Sequence, residues 1–375
     1  MSQRKPDSTS RPPRSVAIAL GAALALIVGC QRSVDQEYVS SAAVRQLEPE
    51  LQKAVQDQLR KRSGTPREPK LIGATPAETA QLKHGADVYR RNCEQCHGVT
   101  GDGNGPAAQF LTPRPRDYRR GVFKFTSTPY GSRPRREDLM RTIDHGVTGT
   151  SMPSFRLLPK KDREAVLDYV LALTHRGELE ELLVAQAESE GELPDEMVEE
   201  LVAAVQDRWT LAAESEVEAA SKMPPITEET IAAGAQIFQQ RECFKCHGRD
   251  GRGGLAGGIE VGNDAWGQKD PAADLTSGML HGGQLPIDVY RRISSGINGT
   301  PMPSFGASFA DYPDAVWHLT HYVLSLANQR RRGVQYPQGE TSAVDAHAPA
   351  SETTSEPTPA ETNEEAPAPA EEAAQ

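Results

Sequence analysis

Apolar residues recur along the chain in separated stretches, most of them at helical spacing. The first is a run of 14 residues from Val16 to Gly29, preceded by Arg4, Lys5, Arg11 and Arg14 and ending at Cys30. A spanning helix needs about 20 apolar residues, so residues 1–30 read as a cleaved export signal rather than a permanent span. Val44, Leu47, Leu51, Val55 and Leu59 then alternate with charged residues ahead of the breaker Ser63-Gly64-Thr65-Pro66, which predicts a helical stalk over 31–73. Val198, Leu201, Val202, Val205 and Trp209 share one helical face behind Pro194, with acidic residues opposite, and predict a helix that packs on a domain or on a partner. Two further helices are expected near Arg136 to His145 and near Pro286 to Ser295, where proline suits the first turn.

The pattern repeats. Cys93-Glu94-Gln95-Cys96-His97-Gly98 recurs as Cys243-Phe244-Lys245-Cys246-His247-Gly248, and Gly149-Thr150-Ser151-Met152-Pro153-Ser154-Phe155 recurs as Gly299-Thr300-Pro301-Met302-Pro303-Ser304-Phe305. Both offsets are 150 residues. Upstream, Gly85 to Tyr89 matches Gly234 to Phe238 at an offset of 149, and downstream Tyr169 to Leu173 matches Tyr322 to Leu326 at 153, so small insertions are expected outside the constant interval. Each unit spans about 100 residues, an ordinary domain size.

Composition changes this picture in two ways. Aromatic residues are 5% and mean hydropathy is −0.56, lean for cores built from side chains alone, and a bulky apolar cofactor in each repeat would supply the missing volume. The net charge of −11 argues against nucleic acid as a partner, because that needs a basic footprint. The charge is uneven. Residues 178–222 hold 14 acidic against 2 basic residues, whereas Arg114 to Arg141 holds nine Arg or Lys against Asp117, Glu137 and Asp138. The basic stretch could steer an acidic partner, stand as a solvated face, or pair with the acidic segment of its own chain. After Pro337 there are nine acidic residues and no Lys or Arg, so the tail over 333–375 is expected to be disordered.

Cys-x-x-Cys-His puts two thiols and an imidazole on one side of a helical turn, the arrangement for two thioether bonds to a haem with histidine beneath the iron. Cys93, Cys96 and His97, and again Cys243, Cys246 and His247, therefore predict two covalently bound haem c groups. A zinc site would have to join both Cys pairs across the repeats, and a redox dithiol would have no use for the histidine. Met152 and Met302, each 59 residues after the first Cys of its motif, are the candidates for the second axial ligand, whose neutral thioether raises the potential. The proline after each biases the methionine toward extended backbone. Core-filling is the other reading of these methionines, and His145, His281, His318 and His321 are rival ligands.

These motifs resemble the class I c-type cytochrome domain, over about 78–177 and again 228–330. The resemblance implies a small all-α domain whose first and last helices cross at the haem edge, with Tyr89 and Phe238 meeting Tyr169 and Tyr322 there. It also implies a Gly-Pro carbonyl holding the proximal imidazole. Gly105-Pro106 fits, but Gly254-Leu255-Ala256-Gly257 lacks the proline and leaves the orientation of His247 open. Phe123-Lys124-Phe125, with Arg141, Ile143 and Gly146, looks like cytochromes of membrane respiratory assemblies. Leu26-Ile27-Val28-Gly29-Cys30 resembles the lipobox of bacterial lipoproteins, which implies lipidation of Cys30 and a tether on the outer, periplasmic face of a membrane.

The expected architecture is all-α: a signal over 1–30, a stalk over 31–73, a cytochrome c domain over 74–177, an acidic helical linker over 178–224, a second cytochrome c domain over 225–332, and the tail. The expected function is one-electron transfer rather than catalysis, between redox proteins or beside integral membrane respiratory subunits, as the di-haem subunits of cbb3-type oxidases or of alternative complex III do. The alternative is a haem enzyme, a peroxidase or sulfur-compound oxidase, which needs one methionine idle and one iron open.

Overall fold

The computed structural model describes residues 37–73, 76–254 and 259–331. Among these there is no strand, only isolated bridges at Gly64–Pro69 and Asn263–Lys269. The expected signal with Cys30, the segment Leu255-Ala256-Gly257 and the tail after 331 lie outside the described residues. No described helix is long and apolar enough to cross a membrane.

The chain begins with α1 (Ala42–Gln46), capped by the Ser41 hydroxyl on the Val44 amide, and α2 (Pro49–Ser63), which opens on proline. The stalk expected over 31–73 does not stand apart. Val44, Val55 and Leu59 are buried against Leu179, Leu183, Val198 and Val205, so the amphipathic faces of the supposed stalk and supposed linker cover each other. Each such buried aliphatic contributes about 1.5–3 kcal/mol, enough to fold the segment back.

In the first repeat, α3 (Pro76–Asn92) leads into the short α4 (Glu94–His97), α5 (Arg136–His145) precedes the methionine loop, and α6 (Lys160–Glu190) closes. The boundary expected at 177 has no structural counterpart, because α6 runs unbroken into the acidic segment until Gly191, at φ 73° and ψ 8°, ends it. Its first half belongs to the first repeat, and its second half forms a small bundle with α1, α2 and the helix that follows. There α7 (Asp195–Glu214) lays Val198, Val202 and Val205 on it, so the expected linker helix packs within its own chain.

The second repeat is built alike from α8 (Glu228–Gln240), α9 (Phe244–His247), α10 (Pro286–Ser295) and α11 (Ala315–Arg331). Thr227 and Thr230 cap α8 reciprocally. In both repeats one glycine permits the crossing of first and last helices. A Cβ on Gly85 would lie 2.1 Å from the Ala165 carbonyl oxygen, and one on Gly234 would lie 2.0 Å from that of His318. Beside the crossings, Tyr89 meets Tyr169 edge-on at 5.1 Å and Phe238 meets Tyr322 at 5.3 Å, as expected of these pairs.

The two repeats sit in one compact unit and are fastened directly to each other. Arg141 pairs with Asp288, Lys124 with Asp270 at 2.8 Å, and the Gly131 amide donates to Asn298 at 2.7 Å. Glu216, from the segment between them, is held by both Arg135 and Arg291.

Candidate functional site

Each Cys motif forms one helical turn. The His97 amide donates to the Cys93 carbonyl at 2.9 Å and the His247 amide to the Cys243 carbonyl at 3.0 Å. The four cysteines are not joined in disulfides. Burial, then the neighbouring cysteine, pushes the Cys93 thiol up to about 12, and burial pushes Cys243 up to about 11, so these two thiols stay protonated at neutral pH. Burial also lowers the pKa of His97 and His247, which keeps both rings neutral.

Each imidazole is aimed by a backbone carbonyl. His97 Nδ1 lies 3.1 Å from the Arg116 oxygen and His247 Nδ1 3.2 Å from that of Ala273. A carbonyl only accepts, so Nδ1 carries the proton and Nε2 keeps the lone pair that a metal needs. This corrects the expectation for Gly105-Pro106. The Gly105 amide donates to Cys96 and the Ala107 amide to Gln95, so that turn closes the motif helix instead of reaching the ring. The carbonyl comes from a later segment, brought over the imidazole by the Tyr118 amide on Gly101 in domain one and the Leu275 amide on Gly251 in domain two. His247 is therefore oriented without a proline.

The methionine loops share one geometry. The Met152 amide donates to Thr150 Oγ1 at 3.1 Å while Thr150 Oγ1 donates to the Val147 carbonyl at 2.8 Å, and the Met302, Thr300 and Ile297 bonds have the same lengths. The Val147 and Ile297 amides return the bond to the Met152 and Met302 carbonyls, each at 3.1 Å. Both methionines are half-buried on extended loops. Neutral imidazole, two thiols on one turn and a thioether held by its own loop form a donor set that fits a covalently bound haem in each domain.

His145 bonds its own helix at Arg141, His318 the Tyr312 hydroxyl and His321 the Thr230 hydroxyl. His281 reaches out of domain two to lie against Gly149 in the methionine loop of domain one.

Of the basic stretch, Arg133, Arg135, Arg136 and Arg141 pair with Glu178, Glu216, Asp168 and Asp288. The acidic segment is correspondingly no plain spacer, since Glu178 and Glu180 are buried. Glu178 accepts from Arg133 Nε at 2.6 Å and from the Trp209 indole at 2.6 Å, joining domain one to the bundle. The sequence signal was present, an acid and a base of opposite stretches, but charge alone cannot tell an internal pair from a solvated one.

Residues 80–170 match the family described as cytochrome c oxidase, cbb3-type, subunit III, and residues 231–327 match the family described as cytochrome c. No curated protein matches the chain. A solved structure from Kuenenia stuttgartiensis, the reducing HAO-like protein complex Kustc0457/Kustc0458, holds a similar chain at 33% identity with a TM-score of 0.51, covering 65% of this chain and 96% of that one. Two matching domains in tandem, each presenting the Cys-x-x-Cys-His turn, make this chain a member of the c-type cytochromes, of the di-haem kind.

Proposed function

We propose that the protein is a two-haem electron relay closed at both irons, in which Cys93 and Cys96, and Cys243 and Cys246, hold the two groups covalently. His97 and His247 would supply the imidazole ligands, and Met152 and Met302 the thioether ligands. Haem c, when bound, supplies a one-electron couple at each site. The carrying observation is the equality of the two methionine loops, since an enzyme would need one of them idle. Nδ1–H bonds to the Arg116 and Ala273 carbonyls keep the imidazoles in one tautomer through each redox cycle. Cys30, lipidated on the outer face of a bacterial membrane, would tether the relay beside its donor. A redox complex is the favoured setting over a free carrier, because the similar Kuenenia stuttgartiensis chain belongs to a protein complex.

The test is the reduced-minus-oxidised and carbon monoxide spectrum of the full chain, with the haem-to-protein ratio and the near-infrared methionine–iron band. Two low-spin haems with that band and no carbon monoxide response support the relay. A high-spin or carbon monoxide-reactive haem overturns it in favour of the enzyme reading. Recovery of integral membrane subunits with the mildly extracted protein supports the complex, and a solitary monomer speaks for a free carrier.

A further inference from the structure

The equal interval between Cys motif and methionine conceals an exchange. In domain one the carbonyl that aims the proximal histidine comes 19 residues after it, and in domain two 26 residues after. Domain two makes up the difference with a shorter path to α10. Each domain thus has one segment seven residues longer than its counterpart, within 119–135 in domain one and in the loop around Trp266 in domain two, and these two face each other. Lys124 pairs with Asp264 at 3.3 Å, and Val122 lies against Gly299.

Trp266 stands where they meet. Its indole N–H donates to the Asp117 carbonyl of domain one at 2.8 Å, and the Arg116 guanidinium lies 3.5 Å over its ring. Arg116 is the residue whose carbonyl aims His97. On its other side the ring touches the methionine loop of domain two, where a Cβ on Gly299 would lie 2.7 Å from the indole. The neighbouring Ala265 amide donates to the Gly299 carbonyl at 2.9 Å. Gly299 is three residues before Met302.

We infer that Trp266 is a positioning residue that couples the two iron sites, its indole lying on the route by which an electron crosses between the His97 side of domain one and the Met302 side of domain two. The inference rests on His97 and Met302 being ligands. One site loses an electron and the other gains it; no bond forms or breaks, no proton moves, and the indole remains closed-shell. The route runs from His97 through the Arg116 carbonyl and the Arg116–Asp117 peptide to the Asp117 carbonyl, across its hydrogen bond to the indole, and on through Gly299 to Met302.

The experiment uses the full chain with both haems loaded and follows electron equilibration between them after a short reducing pulse. It compares Trp266→Leu, Trp266→Phe and Arg141→Met. The last breaks the Arg141–Asp288 contact across the same boundary but leaves the route intact. Trp266→Leu should slow equilibration by about tenfold, with both midpoint potentials unchanged. Trp266→Phe, which keeps a ring and loses the N–H bond, should slow it less. Arg141→Met should lower the unfolding temperature and leave the rate alone. Equal rates in Trp266→Leu and the unmodified protein overturn the inference, as does an equal slowing by Arg141→Met, which would make domain separation the cause. If Trp266→Leu does not load both haems, Trp266→Phe decides, and an unmodified rate there overturns the inference. Absence of the methionine–iron band in the unmodified protein is the distinct outcome in which the ligand reading fails and takes the inference with it.

Discussion

Behind His97 the first domain carries a pair of linked phenol hydroxyls, and behind His247 the second has apolar side chains at the same two positions. Tyr89 donates to the Gly98 carbonyl at 2.7 Å and Tyr118 donates to Tyr89 at 2.7 Å, both phenols buried and, chiefly by burial, held well above their ordinary pKa. At the corresponding places domain two has Phe238 and Leu275. One backbone scaffold thus accepts a closed polar pair or plain apolar packing in the same space. What the domains share is set by backbone approach and loop hydrogen bonds, and what differs is how the space is filled. A second difference lies outside the haem domains: among the described residues, domain one alone extends its closing helix into a bundle.

The shared scaffold should be the most sensitive to change. Gly85→Val and Gly234→Val both force side chains onto a carbonyl 2.0 to 2.1 Å away, and each should cost about 3 kcal/mol or more in the haem-loaded protein. Denaturant unfolding checks this. Near-equal losses support equivalent crossings, while a tolerated valine in either domain breaks the comparison.

The next effect belongs to domain one alone. His175 lies in α6 with its ring 4.9 Å from Trp209, neither ring nitrogen has a hydrogen-bond partner, and burial, then Arg133, push its pKa down to about 4. A folded pKa below the unfolded value of 6.5 means the unfolded chain takes up the proton first. Stability is full above about pH 6.5 and falls as pH drops toward 4, by about 3 kcal/mol at most. His175→Phe should flatten the stability profile in that window. An unchanged slope would show that His175 does not titrate there.

These features were unequally legible. The Cys turns, the methionine loops and the bounds of α5 and α10 follow from motif and periodicity, because they are local and each occurs twice. The fate of residues 31–73 does not. An amphipathic stripe states that a face will be buried and not against what, so α2 and α7 read separately as a stalk and a linker. The Arg116 carbonyl was likewise hidden, since the compensating segments left the interval from Cys93 to Met152 equal to that from Cys243 to Met302. The role of Glu178 depends on Arg133 and Trp209 arriving from distant parts of the chain.

Filling of the haem domains is tested next by making domain one resemble domain two. Tyr89→Phe leaves the Tyr118 hydroxyl without its partner in a buried place and the Gly98 carbonyl with only the long Gly101 amide bond at 3.4 Å, and should cost about 2 kcal/mol. Adding Tyr118→Leu removes one stranded hydroxyl, so the double variant should lose less than the sum of the two single losses. Denaturant midpoints read this directly. Strict additivity would mean that the tyrosines do not act as a pair.

The smallest effect concerns a single inserted residue. Four positions separate Tyr89 from Cys93 but five separate Phe238 from Cys243, and the extra residue is absorbed where the Cys243 amide reaches back to Phe238 and Glu242 takes φ 57°. A left-handed backbone costs an L-residue about 1–2 kcal/mol. Glycine at 242 removes that strain, but its freer unfolded chain takes back about 0.5–1 kcal/mol. The exposed Glu242–Lys245 pair at 2.7 Å adds only a few tenths. Glu242→Gly should therefore raise the stability of domain two by about 0.5 kcal/mol, whereas Glu242→Ile, β-branched and worse suited to positive φ, should lower it by about 1 kcal/mol. Calorimetry of the two variants gives the signs. Opposite signs locate the insertion at Glu242; equal signs would mean that the extra residue is accommodated along α8, and the two Cys turns would then differ in how they are entered as well as in what lies behind them.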